Sequence, residues 1–238
     1  MILNDIETGF PKAIINGSKL TAMRTGAVGA TAVKYLAHDH SETLGVVGAG
    51  VQAYHQILLS QKQRDFKRIL ISDKNRSYAE ILKNKLEGKT PGIEISLARD
   101  ANELVEESDV IITASSSEKP VFETDMTRFK KKCLIGIGSY KPKMQEIPSE
   151  AFSGFDHIFV DTPFAAEESG DIKIPLDLNI ISERDVIPFR NIISKEVHPD
   201  KNGLNFFKSV GMSLFDLTVA EMVRSKMIQK GFGQEINL

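Results

Sequence analysis

The sequence predicts an α/β fold built on a parallel sheet, because segments typical of strands and of helices alternate through the middle of the chain. Short apolar runs typical of buried strands lie at residues 44–47, 69–71, 110–113, 134–137 and 157–160. Residues 93–97 alternate between apolar and polar side chains, as a half-buried strand does. Segments with helical character separate several of these strands, at residues 53–61, 77–86 and 101–107. This β-α-β order implies a parallel sheet that helices cover on both faces.

The two ends of the chain follow a different pattern. Residues 1–17 contain two short extended pieces separated by turn-forming residues. A helix is predicted over residues 18–36, and an amphipathic helix over residues 214–228 closes the chain. Because a lone pair of strands is marginally stable in water, the first strands need partners from another subunit or from a longer N-terminus.

Composition and charge exclude several classes of function. The 238 residues are 41% hydrophobic and 26% charged, which is ordinary for a globular protein. A net charge of −2 gives no basic field for nucleic acid, and no apolar run of about 18 residues predicts a membrane span. The single cysteine, Cys133, excludes an internal disulfide, and no histidine has metal-ligand spacing, so no metal is expected. Without a signal-peptide pattern, the sequence favours the cytoplasm.

A glycine-rich turn follows the first predicted strand of the alternating region. The pattern is Gly48-x-Gly50-x-x-Ala53, and it opens a predicted helix. The first glycine permits a tight turn, the second lets the backbone approach a pyrophosphate, and the small third residue allows close helix–strand packing. The residues of this turn, Gly48, Gly50, Val51, Gln52 and Ala53, are therefore predicted to bind a dinucleotide on a Rossmann fold.

Asp73 ends the next predicted strand, about 20 residues after the glycine turn, as the dinucleotide fingerprint requires. Its carboxylate suits the two ribose hydroxyls of NAD(H), although a strand-end aspartate that caps the backbone is the alternative interpretation. Asp73 repels the 2′-phosphate of NADP(H), whereas Lys74 and Arg76 favour it. NAD(H) is the favoured cofactor, with NADP(H) as the alternative.

Several motifs together resemble those of the ornithine cyclodeaminase/μ-crystallin family. They are Arg-Thr-Gly-Ala at residues 24–27, the glycine turn at 48–53, Thr-Ala-Ser-Ser at 113–116, the segment 138–147 and Lys-Ser-Val-Gly at 208–211. The combination is specific, and the likeness extends from end to end of the chain. The resemblance implies an NAD(P)-dependent oxidoreductase and a homodimer. In that homodimer a dinucleotide-binding domain is inserted into an α+β domain that binds a small amino or imino acid.

The resemblance also implies a division of the chain into three parts. Residues 1–40 would be a truncated substrate-binding and dimerisation domain, and residues 41–206 the Rossmann domain. Residues 207–238 would form a helix that returns to the first domain. Family members begin several dozen residues earlier and carry a lysine and an arginine there that hold the substrate. We therefore expect the cofactor-binding part to be intact, whereas the lysine and the arginine of that segment have no counterpart in this chain.

Five residues take functional roles from the resemblance. Arg24 corresponds to the arginine that binds the substrate carboxylate, and a guanidinium suits this role through two parallel hydrogen bonds. A surface arginine on an amphipathic helix is the alternative. Thr25 and Thr113 correspond to positions against the cofactor, with strand capping as an equal alternative for Thr113. Val210 and Gly211 correspond to the segment that approaches the nicotinamide and the substrate, with a tight helix entry that needs Gly211 for packing as the alternative.

Tyr140 is where the chain departs from the ornithine cyclodeaminases, which carry an aspartate at this position. Near neutral pH a phenol is a proton donor and a poor base. The resemblance therefore favours reduction of a small cyclic ketimine, such as pyrroline-2-carboxylate to proline, with Tyr140 as a proton donor or a pocket wall. The alternatives are an ornithine cyclodeaminase, an amino-acid dehydrogenase or opine-like synthase, and a non-catalytic NAD(P)H-binding protein.

Other polar residues near the predicted strand ends receive plainer interpretations. Lys143 is either solvated or in contact with phosphate or substrate. Asp161, Glu167, Glu168 and Asp171 are interpreted as loop residues, with a contact in the pocket as the alternative for Asp161.

Overall fold

The computed structural model describes residues 1–123, 125–126 and 129–236, and the chain divides into two compact units. The smaller unit contains residues 1–24 and the chain from Gly211 onward, and the larger unit contains residues 25–210. Within the described ranges, no helix has both the length and the apolar character that crossing a membrane requires.

The smaller unit contains a two-stranded antiparallel sheet, formed by β1 (Ile2–Asn4) and β2 (Pro11–Ile14). It also holds the first turns of α1 (Gly17–Leu36) and the whole of α8 (Ser213–Gln229). Leu3 is buried, whereas Ile2 and Ile14 on the other face of the hairpin are exposed. The predicted strands and helices at the two ends of the chain are therefore present.

The larger unit is built on an eight-stranded sheet whose paired strands are all parallel. Its strands are β3 Thr43–Val47, β4 Arg68–Ser72, β5 Glu94–Leu97, β6 Val110–Thr113, β7 Cys133–Gly136, β8 His157–Val160, β9 Val186–Pro188 and β10 Asn205–Lys208. Their spatial order is β5-β4-β3-β6-β7-β10-β8-β9. The first five positions have the order of a Rossmann half-fold, in which strand order reverses between β3 and β6. Ligands bind such sheets at the carboxyl ends of the strands beside this reversal.

Helices cover both faces of this sheet. They are α2 Val51–Ser60, α3 Arg76–Leu86, α4 Ala101–Glu107, α5 Ala165–Glu168, α6 Gly170–Asp177 and α7 Arg190–Ile193, together with the later turns of α1. One buried apolar cluster includes Val33 of α1, Ile57 of α2 and Leu82 of α3. Leu104 and Ile172 carry α4 and α6 into a second cluster on the opposite face. The predicted α/β class with a covered parallel sheet is confirmed.

Strands β9 and β10 are additional to the predicted strands. β10 has only two apolar residues, Phe206 and Phe207, between polar neighbours, and β9 ends at Pro188, so neither has the pattern of a buried strand. β10 nevertheless lies inside the sheet, paired with both β7 and β8. The predicted boundary between residues 206 and 207 would cut β10, and the unit in fact continues to Val210. At the other end its boundary lies after Arg24, within α1, rather than after residue 40.

The acidic residues that follow β8 are also placed differently from the prediction. Glu167 and Glu168 lie in α5, and Asp171 lies in α6 with its side chain fully buried. Their interpretation as loop residues was wrong, because these helices are short and the second contains Pro175, which hides the helical pattern.

Ile112 provides a test of the sheet as the centre of stability. It is fully buried in β6, whereas Ile81 on α3 is 62% exposed. We expect Ile112→Ala to lower the free energy of unfolding by about 2–5 kcal/mol, because it removes packed methyl groups and leaves a cavity. Ile81→Ala should change it by less than about 0.5 kcal/mol. Urea unfolding followed by circular dichroism measures the free energy of unfolding of both variants. Equal values for the two variants would contradict the described core.

Candidate active site

The glycine turn after β3 is held against the loop after β6. Gly48 has φ of +101°, a conformation that side chains disfavour, and its N–H donates to the Ser72 carbonyl at 2.8 Å. A Cβ at Gly48 would lie 2.6 Å from the Ala114 carbonyl oxygen. Both the conformation and the close approach require glycine here. The turn therefore sits where β3 and β6 separate, at the position that the fold uses for ligands.

The start of α2 has the features of a phosphate-binding helix end. Gly50 is its N-cap residue and makes no side-chain cap, and no acidic residue lies in the first turn. A Cβ at Gly50 would meet no atom within 4 Å, so the backbone is open to an approaching ligand. Val51 and Gln52 form the first turn, where backbone N–H groups and the helix dipole attract anions. Ala53 is fully buried and packs α2 against the sheet. These residues fit a dinucleotide pyrophosphate.

Asp73 connects β4 to the glycine turn. One carboxylate oxygen accepts from the Ala49 N–H at 2.7 Å and the other accepts from the Asn75 N–H at 2.7 Å. The capping interpretation is therefore correct for these two bonds. A carboxylate has about four acceptor positions, so Asp73 retains the capacity to bind hydroxyl groups as well. Lys74 and Arg76 beside it are exposed.

Thr113 ends β6 and points its hydroxyl into a buried network of charges. Its Oγ1 donates to Glu146 at 2.9 Å, and both side chains are fully buried. Asp171 on α6 accepts from the N–H of Glu146 at 2.7 Å and forms an ion pair with Lys208 at 3.0 Å. Lys208 ends β10 and is also fully buried. The sequence assigned no role to Glu146 or Lys208, which lie within the matched motifs, and Asp171 was interpreted as a loop residue.

The protein environment shifts the pKa of Glu146. Burial raises the pKa of this carboxyl above its usual range, Lys208 opposes the shift, and Asp171 adds to it. The hydrogen bonds from Ser115 and Thr113 favour the ionised form, because the carboxylate accepts them. Glu146 is therefore a buried acceptor whose charge depends on these neighbours.

In the smaller unit, Arg24 and Gly211 lie together. Arg24 forms an ion pair through its Nε with Asp216 at 3.2 Å. A Cβ at Gly211, which has φ of +87°, would lie 2.9 Å from Nη1 of Arg24. Gly211 therefore allows the guanidinium to lie against the backbone at the start of α8. Asp216 is a partner of Arg24 that the sequence did not indicate.

The remaining predicted residues occupy more varied positions. The carbonyl of Thr25 accepts from Gln56 at 3.0 Å, and Val210 ends the larger unit two residues after β10. Tyr140 follows β7 and is 54% exposed, and Lys143 is exposed as well. Among the described residues, no three His, Cys, Asp or Glu side chains are grouped to hold a metal. The roles of these residues remain predictions.

Comparison with known proteins identifies the family. The profile of the ornithine cyclodeaminase/mu-crystallin family matches residues 1–231. The chain belongs to this family. It is 31% identical over 240 residues to a Delta(1)-pyrroline-2-carboxylate reductase of Bacillus cereus, covering 99% of this chain and 73% of that protein. The resemblance seen in the sequence motifs is confirmed.

Solved structures agree with this assignment. The Thermococcus litoralis Delta(1)-pyrroline-2-carboxylate reductase, in complex with NADH and L-proline, superposes with a TM-score of 0.93 at 31% identity. The match covers 99% of this chain and 73% of the Thermococcus chain. An archaeal alanine dehydrogenase dimer with bound NAD has a TM-score of 0.90 at 29% identity, covering 100% of this chain and 73% of that one.

Gly48 and Gly88 separate the cost of backbone strain from the cost of close packing. Both have positive φ, but a Cβ at Gly88 would meet no atom within 4 Å. Gly88→Ala should lower the free energy of unfolding by about 1–2 kcal/mol through strain alone. Gly48→Ala should lower it by about 2–5 kcal/mol, because strain and the clash with Ala114 combine. Urea unfolding of the two variants measures the difference, and equal losses would contradict the close approach at Gly48.

Proposed function

We propose that this protein is an NADH-dependent reductase that acts on the C=N bond of a small cyclic imino acid, such as pyrroline-2-carboxylate. The main observation is the N-terminus of α2, where Gly50 provides no side-chain cap and no atom lies within 4 Å of the position of a Cβ. Such an open helix end fits a pyrophosphate. The similarity to pyrroline-2-carboxylate reductases over 99% of the chain supports the reaction class.

Asp73 supports NADH over NADPH as the cofactor. Its carboxylate lies at the end of β4, where the fold places an acidic residue against the ribose hydroxyls. A 2′-phosphate there would meet a negative charge. Lys74 and Arg76 are exposed and favour the phosphate, so NADPH remains the alternative cofactor. The nicotinamide would supply the hydride.

Arg24 is the proposed carboxylate-binding residue. Its ion pair with Asp216 engages Nε, and a guanidinium can present its other edge to a second carboxylate. Reduction adds a hydride to the imine carbon and a proton to the nitrogen, which gives the cyclic amino acid. We assign the proton to Tyr140, since a phenol is a donor at neutral pH. Orientation of the imine by Arg24 makes the hydride transfer effectively unimolecular.

The homodimer is a further part of the proposal. In the smaller unit, Ile2, Ile14, Leu217 and Ile228 are large apolar residues that the single chain leaves exposed. Exposed apolar surface of this kind is typical of an interaction site. The archaeal alanine dehydrogenase relative forms a dimer. The cytoplasm remains the compartment that the sequence predicts.

Oxidation of NADH and NADPH, followed by absorbance, is the direct test of the proposed reaction. With pyrroline-2-carboxylate or piperideine-2-carboxylate as substrate, we expect turnover and a kcat/KM at least roughly tenfold higher with NADH than with NADPH. Asp73→Asn should reduce this preference, because the repulsive charge is lost.

Other outcomes would point to the other candidate functions. Ammonia release from ornithine without imine reduction would identify a cyclodeaminase, and turnover of pyruvate with ammonia or an amine would identify a dehydrogenase or an opine-like synthase. Tight NADH binding without turnover of any of these substrates would identify a binding protein. Each of these results would contradict the proposed reductase.

Arg24→Lys tests the carboxylate-binding role. Lysine keeps the charge but loses the paired hydrogen bonds, so kcat/KM for the imino acid should fall roughly 10- to 100-fold. The dissociation constant of NADH should stay unchanged. Arg190→Lys, at an exposed position on α7, is the matched control and should behave like the wild type. An unchanged kcat/KM in Arg24→Lys would remove Arg24 from the substrate site.

A further inference from the structure

Three ionisable side chains are fully buried together at the carboxyl edge of the sheet. Glu146, Asp171 and Lys208 come from a loop, from α6 and from β10 respectively. Lys208 donates to Asp171 Oδ2 at 3.0 Å, and Asp171 Oδ1 accepts from the N–H groups of Glu146 and Ile147. Lys208 lies directly opposite Gly136, where a Cβ would come within 3.2 Å of its side chain. A glycine in β7 therefore makes the room that the buried lysine needs.

The Glu146 carboxylate joins two loops that follow the neighbouring strands β6 and β7 but lie apart in the sequence. Its Oε1 accepts from the Ser115 N–H at 2.6 Å, in the loop after β6. Its Oε2 accepts from the Gly138 N–H at 2.8 Å, in the loop after β7, and from the Thr113 hydroxyl. A Cβ at Gly138 would lie 2.1 Å from the Ser115 carbonyl oxygen, so the two loops are packed directly together.

The first of these loops also supports the glycine turn. The Ala114 N–H donates to the Val47 carbonyl at 2.8 Å, and the Ala114 carbonyl lies where a side chain on Gly48 would be. Two residues that Glu146 holds, Thr113 and Ser115, flank Ala114 on both sides. Movement of this loop would therefore be transmitted directly to the Gly48 backbone.

We propose that Glu146 is a positioning residue, which clamps the loops after β6 and β7 so that the glycine turn keeps the shape that binds the dinucleotide. This inference rests on the proposed cofactor site and names the residue that holds that site in shape. Buried charges cost stability, so a structural purpose alone would be served as well by apolar packing. A carboxylate, unlike apolar packing, can accept from three donors in two loops at once. Lys208, which is paired with Asp171 at 3.0 Å, contributes the positive charge of this buried group.

Glu146→Gln tests the clamp with the smallest change in shape. The amide replaces one acceptor oxygen by an NH₂ group, so either Ser115 or Gly138 loses its acceptor whichever way the side chain turns. We expect the dissociation constant of NADH, measured by fluorescence titration, to rise roughly tenfold. The KM for NADH should rise with it, while the KM for the imino acid stays within about twofold of the wild type.

Two controls separate positioning from loss of stability. Ile112→Ala weakens the same strand, β6, without touching the clamp, and should bind NADH like the wild type. Glu150→Gln removes an exposed carboxylate four residues away and should also bind NADH normally.

Thr113→Val removes one of the three donors to Glu146. Its effect on NADH binding should be smaller in the Glu146→Gln background than alone, because the two side chains act through one contact.

Amide hydrogen exchange of the wild-type protein gives a test that needs no variant to fold. The Ser115 and Gly138 amides should be protected without NADH, whereas the Gln52 amide should gain protection only when NADH is added. Fast exchange at Ser115 and Gly138 in the free protein would overturn the clamp, as would normal NADH binding by Glu146→Gln. Failure of the wild type to bind NADH would instead overturn the proposed cofactor, and the exchange result would still report on the clamp.

Discussion

The contact between the Gly48 backbone and the Ala114 carbonyl controls the geometry at the centre of the sheet. It lies between β3 and β6, where the strand order reverses and the loops above the two strands part. Three features meet at this contact: the tight turn, the start of α2 and the end of β6. A side chain at Gly48 would separate them. Much of the proposed cofactor site therefore depends on this one close approach of two backbones. On the other side of the turn, hydrogen bonds from Gly48 to Ser72 and from Ala49 to Asp73 hold it in place.

The larger unit shows how a parallel sheet carries buried polar groups at the carboxyl edge of its strands. The strands are mainly apolar in their middle positions, because helices bury both faces. The polar residues Thr113 and Lys208 come at the last positions of β6 and β10. There they are still buried, so each must have a partner. Glu146 and Asp171 supply those partners, and the resulting network fixes the loops in which ligand contacts are expected.

Features that neighbouring residues in the sequence determine could be predicted, whereas features that depend on distant residues could not. The glycine turn and Asp73 were found because strand, turn and helix lie within one continuous stretch. β10 was missed because its burial depends on β7 and β8, which lie far away in the sequence, and its own four residues include only two apolar ones. The network of Glu146, Asp171 and Lys208 was missed for the same reason. Asp171 lies 25 residues from Glu146 and 37 residues from Lys208 in the sequence. The residues next to a charged side chain do not show that its partner lies so far away.

The proposed role of Arg24 as the carboxylate-binding residue agrees with a partner, Asp216, that the sequence did not reveal. Asp216 lies on α8, and its carboxylate accepts from Nε of Arg24. A lysine has a single nitrogen, so a lysine that is paired with Asp216 would have its charge committed to that partner. A guanidinium has a second edge with two parallel donors, which a substrate carboxylate can accept. Asp216 also restricts rotation of the side chain, so less conformational freedom remains to be lost when a substrate binds. An aspartate close to a carboxylate-binding arginine would weaken binding by repulsion if it shared the same edge. Because Asp216 accepts from Nε instead, it orients the guanidinium, and the missing Cβ of Gly211 avoids a contact of 2.9 Å with Nη1.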